Sequence, residues 1–184
     1  MADSPVSIHK PGTMAQAAVA ATAPEGMLIA PIWKRVAALI LDVFLISIIL
    51  VFITQGSLFS YVFSIYSLIT PQAPYVLGSW IVLLTFYWLY FKYTGRQYGR
   101  SLGQRAMRIA IVHDDGSLLG IDHWGRRAAY KLRYIIPIFG QLWGLLDVYK
   151  TWKHETKRSP VDLANHTVAA VDWSLPVNTR NGLR

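Results

Sequence analysis

The sequence predicts a mainly α-helical membrane protein: an antiparallel transmembrane helix hairpin, a short broken or re-entrant apolar segment, an amphipathic helix on the inner leaflet and a small cytoplasmic β element. Three observations lead there. Of the 184 residues 53% are apolar or aromatic and only 15% are charged, a balance that soluble domains rarely show. Charge is almost absent from two long stretches, each about the length that some 30 Å of hydrocarbon demands of a helix. Seven Trp, ten Tyr and seven Phe, many of them beside those stretches, match the aromatic belts of membrane interfaces.

The net charge of +8 would suggest nucleic-acid binding in a soluble protein. Here the positive-inside bias accounts for it, so the expected partner is a bilayer with anionic headgroups and no nucleic acid is expected. Cysteine is absent, which excludes disulfides, thiolate catalysis and Cys-based metal sites.

Residues 1–30 are rich in Ala, Pro, Ser and Thr and read as a disordered N-terminal tail. The Ala run from Ala15 to Ala23 is a weak signal-peptide core, and cleavage there is not expected. From Val36 to Ile53, VAALILDVFLISIILVFI supplies the first span, with Trp33, Lys34 and Arg35 as its interfacial anchor. Residues 54–74 carry no charge; too short and polar for a span, they either continue the first helix or lie in the outer interface. The second span runs over about 75–91 and ends at Lys92.

Residues 92–133 hold Lys92, Arg96, Arg100, Arg105, Arg108, Arg126, Arg127, Lys131 and Arg133 against Asp114, Asp115 and Asp122. This loop, and with it the N-terminus, is therefore placed in the cytoplasm. Within it, Met107 to His113 alternates as a strand before the turn signal Asp114, Asp115 and Gly116. Residues 122–134 form a basic amphipathic helix, and Arg96, Arg100, Arg105, Arg126, Arg127, Lys131 and Arg133 are expected at the membrane surface.

The stretch 134–149, YIIPIFGQLWGLLDVY, is short, is interrupted by Pro137, Gly140 and Gly144, and has basic residues on both flanks. A full crossing would place the second basic cluster outside, so a broken or re-entrant pair is favoured over a third span. Arg158 to Trp173 reads as a short helix capped by Ser159 and Pro160, then a strand from Thr167 to Val171 that could pair with Met107 to His113. Residues 173–184 form a loose C-terminal tail.

Arg35 and Asp42 lie seven apart, on one helix face and about 10 Å apart along the axis. A carboxylate that deep costs about 2.5–3.5 kcal/mol to insert and needs protein or water around it. Asp147 is a secondary acid, read first as a headgroup-facing residue. Gly95, Gly99 and Gly103 repeat every four residues, but the interleaved Arg96 and Arg100 place them in a juxtamembrane turn. His113, His123, His154 and His166 lack metal-ligand spacing, no phosphate loop or nucleophile motif is present, and neither a cofactor nor an enzymatic activity is expected.

Three segments in order, WKRVAALILD with Arg35 and Asp42, SLGQRAMRIAIVHDDG from Ser101 to Gly116, and SPVDLANHTVAAV with Asp162, Thr167 and Val168, resemble the RDD family of bacterial membrane proteins over about residues 31–172. Asn165 and His166 stand where such proteins usually have small residues, and Gln104 replaces a frequent lysine. The resemblance implies a small inner-membrane protein with an Arg35, Asp42 and Asp162 charge cluster and no assigned activity for most members, cation/proton antiport being reported for some. The leading expectation is a structural or interaction module in which the cluster pins the C-terminal segment to the first helix. The alternative is a cation/proton transporter in which Asp42 and Asp162 compete for Arg35, and with two secure spans that role calls for a homo-oligomer.

Overall fold

The computed structural model describes residues 6–7, 23–63, 65–136 and 139–183. Two long helices dominate it. Helix α1, Ile32–Thr54, has 23 residues and is about 35 Å long at 1.5 Å per residue. It stops because Gln55 and Gly56 both take left-handed backbone angles, which break the ladder of helical carbonyls. The chain then folds into the short helix α2, Ser57–Val62, and a 3-10 turn, Ile65–Ile69, so the segment past Thr54 does not continue α1.

Helix α3, Ala73–Tyr98, begins with Pro74 in its first turn, where a missing N–H costs nothing. It ends at Gly99 in the left-handed conformation. It runs seven residues beyond the expected end at Phe91, and Gly95 is therefore helical. The Trp124 ring lies where a Gly95 side chain would be, so this glycine permits close helix packing instead of forming the expected juxtamembrane turn.

Between α1 and α3, Asp42 meets Tyr90, while Val43 and Ser47 both meet Tyr87. Ile46, Leu50, Leu58, Val62, Leu83, Tyr87 and Phe91 form the apolar core there. The outward faces are apolar too: Phe44, Phe52 and Ile53 of α1 are 63%, 80% and 66% exposed. A core helix of a soluble protein would bury such residues; these need hydrocarbon around them.

At the Ile32 end of α1 sits an α/β cap. Helix α4, Leu102–Ala106, opens with a capping box between Ser101 and Gln104. Strand β3, Ile109–His113, pairs antiparallel with β4, Thr167–Val171, the pairing anticipated from sequence. Every residue from Ile109 to Val112 and from Thr167 to Val171 is buried. The alternation read in Met107 to His113 thus does not separate a wet face from a dry one. One sheet face, with Ala110, Val112, Val168 and Ala170, packs on Met27 and Leu175; the other, with Ile109, Ile111, Ala169 and Val171, packs on Ala38 and Trp124.

The sheet order is β1-β2-β4-β3, where β1 is Val6–Ser7 and β2 is Leu28–Ile29. Within the expected disordered tail of residues 1–30, Val6–Ser7 and Leu28–Ile29 take part in this sheet, and residues 1–5 and 8–22 lie outside the described residues. Met27 and Ile29 are apolar enough to complete the sheet core, and Ala30 N–H donates to Ala169 O at 2.8 Å. The Ala15 to Ala23 reading falls, save Ala23, outside the described residues. The C-terminal tail is also packed: Asp172–Ser174 and helix α8, Val177–Asn181, bring Leu175 and Leu183 onto the same core.

Helix α5, Ile121–Leu132, packs along α3 through Trp124 and Ala128, with Trp88 Nε1 donating to Gly125 O at 3.3 Å. Helix α6, Phe139–Lys153, has 15 residues and is about 22 Å long, short of the hydrocarbon thickness. Gly140 and Gly144 do not break it; the chain turns before it, after Leu132. Helix α7, Pro160–Ala164, begins with a capping box between Ser159 and Asp162.

Candidate functional site

The two carboxylates of the expected cluster, Asp42 and Asp162, occupy separate places. Asp42 has no exposed surface, and three donors converge on it: Tyr90 Oη at 2.6 Å, Ser101 Oγ at 2.5 Å and the Gly103 amide at 2.7 Å. Tyr90 Oη in turn accepts from Leu102 N at 3.2 Å. Hydrogen bonds to an ionised acceptor contribute about 1.5–3 kcal/mol each, which is how an apolar helix keeps a carboxylate dry. The approach requires a glycine, since a Cβ on Gly103 would run into Ala38 O and lie 2.9 Å from Asp42 Oδ1.

Arg35 belongs to the other acid. Its Nε donates to Ala30 O at 2.9 Å and its Nη1 meets Asp162 Oδ2 at 3.5 Å. Arg127 Nη1 meets Asp162 Oδ1 at 2.7 Å and also contacts Thr167 Oγ1. Asp162 Oδ2 caps its own helix by accepting from Ser159 N at 3.3 Å. Burial alone would raise this acid, but the Arg127 and Arg35 guanidiniums hold it below the usual carboxylate range. Arg158 extends the cluster, reaching Thr167 O at 2.8 Å and Asp114 at 2.8 Å.

The spacing of seven therefore does not make an Arg35 and Asp42 pair. A long guanidinium side chain at the start of a helix can bend away from the face its Cα occupies, and Asp42 finds all its donors on α3 and α4. Asp162 is brought to Arg35, across 127 residues of sequence.

Asp147 is buried on α6 and not a headgroup-facing residue. It pairs with Arg133 and accepts from Tyr134 Oη at 2.5 Å. Burial and the Asp147 hydrogen bond push the Tyr134 phenol up, so it stays a donor.

Among the residues expected at the membrane surface, Arg96, Arg105 and Arg126 are exposed. Arg127 is not, being 4% exposed; its position on α5 faces the cap and Asp162. Arg100 pairs with Asp172 at 3.1 Å, Arg133 with Asp147, and Lys131 is half-buried with Nζ 4.3 Å from the Phe91 ring centre.

A cavity of about 700 Å³ lies between α1, α5, α6 and α7. Arg35, Arg127, Lys131, Asp147 and Asp162 line it, with Ile40, Val43, Phe44 and Leu145 forming apolar wall. Asp42 is not among its lining residues.

Sequence reasoning missed Tyr90, Ser101, Gly103 and Arg127 as partners of the two acids. The Ser101-x-x-Gln104 capping signature, and a glycine within it, were signals for the Asp42 contact. Nothing local distinguishes Arg127 from Arg126.

Two long apolar helices with lipid-ready outer faces, joined to an α/β cap through buried carboxylates, define a helical membrane protein. The chain belongs to the RDD family, whose sequence model matches residues 29–166. No curated protein and no solved structure matches it.

Proposed function

We propose that this chain is a non-enzymatic structural and interaction module of the inner membrane. In this reading α1 and α3 cross as an antiparallel hairpin, and the cap lies on the cytoplasmic side with Arg96, Arg105 and Arg126 towards anionic headgroups. The carboxylates are pins: Asp42 ties α4 to α1 and α3, and Asp162 ties α7 and β4 to α1 and α5.

One observation carries the reading. Asp42 is enclosed by three donors and has no exposed surface, whereas a transport carboxylate needs water and a choice of partners. Competition between Asp42 and Asp162 for Arg35 finds no support in the separate hydrogen-bond sets of the two acids.

The test is cation-driven proton movement in inverted vesicles holding wild type or Asp42→Asn. The module reading expects no flux from either. Flux in wild type that disappears in a well-expressed Asp42→Asn would replace it with the transporter. A reporter fused after Arg184 checks orientation, and periplasmic activity would reverse the placement of the cap.

A further inference from the structure

We propose that the cavity between α1 and α6 holds one anionic phospholipid, with its phosphate at Lys131 and Arg127 and its acyl chains along Ile40, Phe44 and Leu145. This goes beyond the module role and rests only on the membrane placement of the chain.

Charge is the first reason. Three cations, Arg35, Arg127 and Lys131, and two carboxylates, Asp147 and Asp162, line the cavity. Asp147 is already met by Arg133 from outside that lining, so positive charge is in excess. Asp162 is shared by Arg35 and Arg127, and Lys131 makes no ion pair among the described residues, its nearest described partner being the Phe91 ring. Arg127 Nε is buried without a hydrogen-bond partner among the described residues. Buried cationic groups left in this state are costly unless an anion joins them.

Polarity along the cavity is the second. Arg35 stands near the start of α1, while Ile40, Val43, Phe44 and Ser47 follow it deeper along the same helix. The gradient from cationic to apolar runs as it does in a lipid of that leaflet, headgroup at the helix end and chains towards the middle. Ile40, Phe44 and Leu145 are 61%, 63% and 68% exposed, which leaves a path for chains into the bilayer. The volume falls among ordinary small-molecule sites, about 300–1,000 Å³, and basic pockets between membrane helices are where anionic headgroups bind.

The test uses the full chain purified in detergent and exposed to micelles with equal phosphatidylglycerol and phosphatidylcholine. Lipid retained after gel filtration is counted by mass spectrometry. Wild type should keep phosphatidylglycerol, about one per chain, over phosphatidylcholine. Lys131→Met should lower that retention at least about fivefold, the effect of one basic group at an anionic headgroup.

Gly144→Leu is the second variant. Gly144 lines the cavity, and a Cβ there would meet only Tyr134 Cδ1 at 3.9 Å, so the backbone accepts a side chain at this position, and leucine should take up cavity volume and also expel the lipid. Arg180→Gln, exposed on α8 and not among the residues lining the cavity, should change nothing. Equal retention of the two lipids, or full phosphatidylglycerol retention in both Lys131→Met and Gly144→Leu, would overturn the site. So would displacement of the lipid by inorganic phosphate at matched concentration, since the anion alone would then be the ligand.

Discussion

Arg127 of α5 and Asp162 of α7 meet at 2.7 Å, both buried and 35 residues apart. With Arg35 on the opposite oxygen, this carboxylate joins the first long helix, the amphipathic helix and the interior strand β4, through Thr167.

Arg127 and Asp162 should be energetically coupled. Arg127→Met and Asp162→Asn each leave a buried group uncompensated, and each should lower stability by about 3–5 kcal/mol. The double variant should fall short of the sum, because neither charge is then stranded. Unfolding in detergent followed by tryptophan fluorescence gives the cycle; full additivity would show that the two groups act independently.

Acid should release the same contact. Asp162 is held below its unfolded value of about 3.9, so its contribution is complete above that pH and is lost as pH falls through the lower, folded value. Protection of the β4 amides from hydrogen exchange, taken relative to the intrinsic rate at each pH, should fall below about pH 4 in wild type. In Asp162→Asn the protection should be low already at neutral pH and show less dependence on acid; a wild-type profile there would argue against Asp162 as the responsible group.

Two glycines should respond oppositely to alanine. At Gly103 the added methyl meets Ala38 O and the Asp42 carboxylate, an overpacking cost of about 1–3 kcal/mol. At Gly125, inside α5, the nearest atom would be Lys92 Cε at 3.9 Å, so Gly125→Ala should stabilise by about 0.5–1 kcal/mol through helix propensity. Midpoints of thermal unfolding decide; a tolerated Gly103→Ala would mean that α4 can move away from Asp42 at little cost.

Lipid retention should depend on pH through Lys131. Burial of the ammonium pushes it down to about 8, Asp42 and Asp162 opposing the effect and Arg127 adding to it. Below that value it is charged and attracts phosphate; above it the attraction fades. Phosphatidylglycerol retention should therefore drop between pH 7 and pH 9 in wild type and stay flat in Lys131→Met. Parallel profiles would assign the pH effect to another group.

Legibility varied with how local the cause was. Helix α1, the strand pair and the Ser159 cap of α7 follow from runs and signatures a few residues long, and their places were readable. The end of α3 was not. Arg96 and Arg100 look like juxtamembrane residues, yet the helix continues to Gly99 because Trp124 packs against Gly95 from another element. Residues 23–30 looked featureless for a similar reason: two strand residues become ordered only when Ile29 finds Ala170 on β4. The Arg35 and Asp162 contact was anticipated through the family pattern, and the Asp42 cage was not, since Tyr90 lies 48 residues away.

The sequence by itself determined that this chain is a membrane protein, where its two long apolar helices lie, and which two strands, β3 and β4, pair. These properties depend on apolar content, on periodicity and on backbone caps, all set by neighbours along the chain. Only the tertiary structure decided which carboxylate meets which cation, that Arg127 turns inward while Arg126 faces out, and that a cavity opens beside Lys131. Those choices depend on how α5, α6 and α7 pack around α1, and a buried charge takes whichever partner that packing places within hydrogen-bonding distance.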